Sequence, residues 1–210
     1  GDAREAARLF RTAAESYARM SDVTDHMITA ALVEQALAAA RRSGFHRVLR
    51  STLAHAALCR AVQGRRAEAV RLLVELDEDW RRTRMIPFAE WVPAVGHVAA
   101  VLGGDAARLV RDLLRRAPRV TPWARAAGQV ADAVLARQDG DAREAARLFR
   151  TAAESYARMS DVTDHMITAA LAVATVTEVA PDDGAVILER VREFADRDGV
   201  PGLLRLNAAD

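Results

Sequence analysis

Five histidines, His26, His46, His55, His97 and His165, are the first residues to test for chemistry. None belongs to a His-Glu-x-x-His run, and no second His or Cys falls at a metal-ligand interval on one helix face. Each therefore reads as a surface or packing histidine, and no metal site is expected. His26 and His165 each follow an aspartate in "TDHMIT", where Asp25 and Asp164 are candidate helix caps. Ser21 and Ser160 lie in "RMSDVTDHM", which reads as a turn between helices, and no serine sits in a G-x-S-x-G elbow. All 30 basic residues are arginine, so a phosphate-binding P-loop lysine is excluded. Glu68, Glu75, Asp77, Glu78 and Asp79 are acidic, but no spacing pairs them across a cleft as general acid and base. The chain thus offers no catalytic set and no cofactor motif, and it reads as a non-enzyme.

The residues best suited to recognition are Trp80, Arg81, Arg84 and Trp91, in and beside "DEDWRRTRMIPFAEW". Indole rings interleaved with guanidinium groups next to a Pro-containing connection suit an acidic or aromatic peptide, held by stacking and Arg–carboxylate pairs. These four are the expected partner-binding residues. The alternative is that both rings fill space between helices while the arginines face water.

Charge and composition limit the function classes. Net charge is +1, and the arginine clusters at 65–66, 81–84 and 115–119 are short. They read as solvated helix faces, so direct nucleic-acid binding is not expected. Cys59 is the only cysteine, which rules out an internal disulfide and points to a reducing, cytoplasmic setting. Residues 1–30 lack the basic, apolar and small-residue regions of a signal peptide, and no apolar run is long enough to span a membrane. The first residue, Gly1, falls inside what reads as a turn, as in a piece of a longer chain.

The elements that would position these residues are helices. Hydrophobic residues make up 51% of the chain and aromatics only 5%, so the core must be built from closely packed Ala, Leu and Val. In "GDAREAARLFRTAAESYARM", Ala145, Leu148, Phe149, Ala152 and Tyr156 recur at helical spacing, with Asp141 and Glu144 at capping-box spacing. The preceding helix has Thr121 as cap and Pro122 in its first turn. Related helix–turn–helix units place Gly64, Gly104 and Pro181–Asp182 at their turns, at intervals of roughly 40 residues. Each pair alone would leave an apolar face in water, and stacking the pairs buries it.

On these residues the chain resembles the tetratricopeptide (TPR) repeat family. Counted from the turn at Gly140, Ala145, Phe149 and Ala152 match the family's small and aromatic positions. Val95 and Gly96 resemble its Leu-Gly pair, while a strict 34-residue period is not kept. The Ala, Arg and Leu content also resembles the TPR-like arm of large actinobacterial ATPase-type transcriptional regulators. The resemblance implies an all-α fold of antiparallel helix pairs stacked as a right-handed solenoid. It also implies a non-catalytic scaffold or interaction arm that binds protein or peptide. A peptide- or small-molecule-sensing domain of a transcriptional regulator is the alternative, favoured if the groove holds a large apolar cleft.

Residues 1–32 repeat residues 140–171 without a substitution. Natural repeats diverge, so the identity points to a grafted or recently duplicated segment, with 33–210 as the parent TPR-like domain. An engineered scaffold without native activity is a further reading. At the join after Leu32 two half-elements should fuse into one helix over roughly residues 23–42, because no Gly or Pro interrupts it. The first copy begins at its turn and lacks the partner helix that precedes the second. The stripe of Ala6, Phe10 and Ala13 is therefore expected to pack back on the chain or to mediate self-association.

Overall fold

A computed structural model of the chain describes residue 8 and residues 23–83, 89–117 and 120–207. Among these residues no strand occurs. The helices are α1 (Val23–Ser43), α2 (His46–Val62), α3 (Arg66–Thr83), α4 (Val92–Leu102), α5 (Gly104–Arg115), α6 (Pro122–Gln138), α7 (Ala142–Arg158), α8 (Val162–Val179) and α9 (Pro181–Asp198). A 3₁₀ helix over Pro201–Asn207 follows. Ala6, Phe10 and Ala13, expected to self-associate, lie outside the described residues, as does Arg84.

Local chemistry accounts for the helix ends. Thr121 Oγ1 accepts the Ala124 N–H at 3.2 Å, with Pro122 in the first turn of α6. Asp141 Oδ1 accepts the Glu144 N–H at 3.0 Å and starts α7. The expected capping box is only half formed, because the Glu144 carboxylate turns forward onto Arg147 at 2.5 and 2.6 Å. At α8 the cap is Asp161, whose carboxylate accepts the Asp164 N–H at 3.3 Å. Asp164, itself expected to cap, is one turn further in, and its carboxyl hydrogen-bonds that of Asp161.

The turns follow the same logic. Ser160 adopts a left-handed φ of 58°, while the N–H of Asp161 reaches Tyr156 O at 3.0 Å and that of Ser160 reaches Ala157 O at 3.0 Å. Orphan carbonyls of α7 are thereby satisfied. Between α4 and α5 the left-handed residue is Gly103, at φ +84°, and Gly104, expected in the turn, opens α5. Across the join at Leu32, α1 is continuous, as the absence of Gly and Pro predicts. The ten shared residues 23–32 and 162–171 are helical in both copies.

Every helix packs on its successor, and α2 also meets α4, α3 meets α5, and α4 meets α6. The approach of α4 to α6 depends on Gly96: a Cβ there would lie 3.0 Å from Ala127 Cα. Phe149 is buried among Val130 and Ala133 of α6 and Ala172 and Val176 of α8. One contact skips the local order: α4 also reaches α8. That contact brings the most chemically active side chains together.

Candidate functional site

Trp80 and Trp91 do not form a binding surface. Their side chains are 2% and 1% exposed, and the rings meet edge to face with centroids 5.0 Å apart and planes at 68°. The reason lies in the helical phase of α3. Ala69, Leu73, Leu76 and Trp80 share one buried stripe, so Trp80 points inward, and Trp91 closes over it at the N-terminus of α4. Arg81 is exposed but paired with Asp77 at 2.6 Å, which also binds Arg116. Neither ring offers a face to a peptide, and the expected aromatic–guanidinium patch is replaced by an interhelical joint.

Beneath that joint lies a buried ion pair. Arg50 Nε donates to Asp79 Oδ2 at 2.8 Å, with both side chains 1% exposed. His46 Nδ1 lies 2.7 Å from the other oxygen of Asp79, and Arg82 is 3.2 Å from it. The Arg50 guanidinium carbon sits 5.5 Å from the Trp80 ring centroid. These groups satisfy one another and leave nothing open to a ligand.

The open site lies elsewhere. A partly open cavity of about 630 Å³ lies between α2, α4, α8 and α9, with Val33 of α1 and the 3₁₀ helix contributing to its wall. Its lining is largely apolar, including Leu58, Ala94, Ile167, Phe194, Leu203 and Leu206. Among the described residues, its charged side chains are Asp164, Arg197 and Asp198, joined by His55 and His97. Arg197 Nη2 donates to Asp198 Oδ2 at 2.8 Å, and its guanidinium carbon lies 5.3 Å from the Phe194 ring centroid.

His97 and Asp164 form the polar end of this cavity. The His97 Nε2 is 3.0 Å from Thr168 Oγ1. Its Nδ1 is buried without a hydrogen-bond partner, and the nearest carboxylate oxygen, Asp164 Oδ1, is 3.7 Å away. Burial, aided by the nearby His55, lowers the His97 pKa to about 3, so the ring is neutral. Burial, together with the charge and hydrogen bond of Asp161, raises Asp164 to about 8. Burial and then the charges of Asp164 and Asp161 raise Tyr156, whose hydroxyl also lacks a partner. Cys59, on the α2 wall, is pushed up to about 12 by burial, so it presents a neutral thiol and no nucleophilic thiolate.

The sequence reading assigned His97 and Asp164 to packing and capping. One signal for His97 was available: it is the sole ionisable residue of the otherwise apolar "VPAVGHVAAVL", where a buried polar ring needs partners. Asp164 had no such signal, because its partner comes from α4, 67 residues earlier. Among the described residues, no group of three or more His, Cys, Asp or Glu side chains is arranged to hold a metal ion. No helix among them is long and apolar enough to cross a membrane. The chain matches no protein-family model, and neither a curated protein nor a solved structure matches it.

Proposed function

We propose that the chain is a non-catalytic helical-repeat arm, its helix pairs stacked as a right-handed TPR-like solenoid, that senses an apolar small molecule held in the groove. The cavity of about 630 Å³ carries this reading. That volume falls within the range of roughly 300–1,000 Å³ typical of small-molecule sites, which are mostly apolar with a few placed polar groups. The solenoid part rests on the recurring turns, the contact of each helix with its successor, and the row of contacts α2–α4–α6.

A cavity ligand fits better than a partner protein on an open face. Among the described residues, the large apolar side chains that are exposed, Phe45, Val74, Val120, Val162 and Val186, lie on separate segments of the chain. The two tryptophans that would have anchored a partner are enclosed. The test is titration with the neutral fluorescent probe N-phenyl-1-naphthylamine. The proposal expects saturable binding of one probe per chain, abolished by Ile167→Trp, which fills the cavity from α8. Failure of the folded wild-type protein to bind the probe would sink the reading.

A further inference from the structure

We infer that the cavity selects a ligand whose apolar body ends in a protonated amine, seated between the Asp164 carboxyl on α8 and Nδ1 of His97 on α4. The inference rests on the reading of the cavity as a ligand site and adds the chemistry of the head group.

Three observations converge on it. The first is an unfilled acceptor. His97 is 1% exposed, lines the cavity, and keeps Nδ1 without a hydrogen-bond partner. With the ring proton assigned to Nε2, which then donates to Thr168 Oγ1 3.0 Å away, the buried Nδ1 lone pair is left without a donor. The second is the charge of the wall. Among the described lining residues two carboxyls face one guanidinium, and that guanidinium is already engaged by Asp198 and by the Phe194 ring. Among the described residues no arginine pairs with Asp164, whose neighbours are the neutral His97 ring at 3.7 Å and the Asp161 carboxyl. The third is the placement of Asp161, which accepts the Asp164 N–H and whose carboxylate hydrogen-bonds the Asp164 carboxyl; among the described residues the pair lacks a cation. An ammonium group has three donors and one positive charge, so it satisfies the Asp164 oxygen and the His97 nitrogen together. Above the Asp164 pKa of about 8, a carboxylate ligand would meet like charge, and a neutral alcohol would leave the carboxylate unpaired.

The raised pKa of Asp164 is consistent with this arrangement, because a largely buried carboxyl lacking a cation holds its proton until one arrives. The groups that bear on Asp164 are Asp161 on its own helix, Tyr156 on α7 and His97 on α4. Across the cavity stand His55 on α2 and the Arg197–Asp198 pair on α9.

The experiment displaces bound N-phenyl-1-naphthylamine from the full chain with decylamine, decan-1-ol and decanoate at about pH 9, where Asp164 has released its proton and the amine has not. The three share an alkyl body and differ in head group. Decylamine is expected to displace the probe at about tenfold lower concentration than decan-1-ol, the size of one charge-assisted hydrogen bond. Decanoate should be the weakest. Asp164→Asn should bring the ratio of decylamine to decan-1-ol to about one. Equal displacement by decylamine and decan-1-ol in the wild type overturns the inference and leaves the cavity reading standing. An amine preference that survives in Asp164→Asn overturns it as well. If the probe itself does not bind, the cavity reading fails and takes this inference with it. The wild-type comparison needs no variant, so a poorly folding substitution does not shield the proposal.

Discussion

His97 on α4 and Thr168 on α8 are joined by a 3.0 Å hydrogen bond across 71 residues of chain. The bond forms because Gly96 lets α4 lie against the Ala127 backbone of α6, which places the next residue, His97, within reach of α8. Tyr156 of α7 stands beside it, with ring centroids 6.2 Å apart. One small residue thus sets the geometry of the polar end of the cavity. Gly96→Val would force α4 and α6 apart and break this contact before it disturbed the distant ion pair at Asp79.

The opposite titrations of Asp164 and His97 predict a stability maximum. Asp164 is raised from about 3.8 to about 8, so the folded state holds a proton that the unfolded state has released. Its contribution is present at low pH and lost as pH rises towards 8. His97 is lowered from 6.5 to about 3, so its contribution is present above about 6.5 and lost as pH falls towards 3. His55, also lowered by burial, acts in the same direction as His97. Above about 6.5 only the Asp164 effect remains among these three groups. Urea melts should show unfolding free energy falling by about 1.4 kcal/mol per pH unit between about 6.5 and 8. In Asp164→Asn that slope should vanish.

Phe149→Ala should cost about 3–5 kcal/mol, because the ring is enclosed by three helices. Denaturant melts give the value, and a loss below about 1 kcal/mol would mean that α7 presents a different face to α6.

Asp79→Ala should cost about 3–5 kcal/mol by leaving the Arg50 guanidinium buried and unpaired. Arg81→Ala, by contrast, removes an exposed partner of Asp77 and should change stability by about 1 kcal/mol or less. Iodide should quench the Trp80 and Trp91 emission poorly in a folded Trp123→Phe variant, which removes the partly exposed third tryptophan.

Ser160→Gly should stabilise the fold by about 0.5–1 kcal/mol. The left-handed backbone costs a side-chain-bearing residue about 1–2 kcal/mol, and the extra chain freedom of glycine offsets part of that gain. Thermal melts of the single variant would measure it.

The parts of this fold that were legible in the sequence are those governed by near neighbours. The fused helix α1, the Thr121 and Asp141 caps, and the burial of Phe149 all follow from signals within a few residues. The Trp80–Trp91 joint was misjudged because the nearby arginines suggested a surface, whereas the stripe Ala69–Leu73–Leu76–Trp80 already set the phase of α3. The cavity was not legible at all. Its walls come from segments as far apart as Val33 and Leu206, and nothing in either segment records that the two approach one cavity.

The central claim is that this cavity binds an apolar small molecule, and ligand-dependent stability tests it most directly. Melting the wild-type chain and Ile167→Trp with increasing decan-1-ol reports binding to the folded state alone. The account predicts that the wild-type midpoint rises with alcohol concentration as a single site fills, while the midpoint of Ile167→Trp does not rise. A wild-type midpoint that stays flat or falls in step with the variant would contradict it.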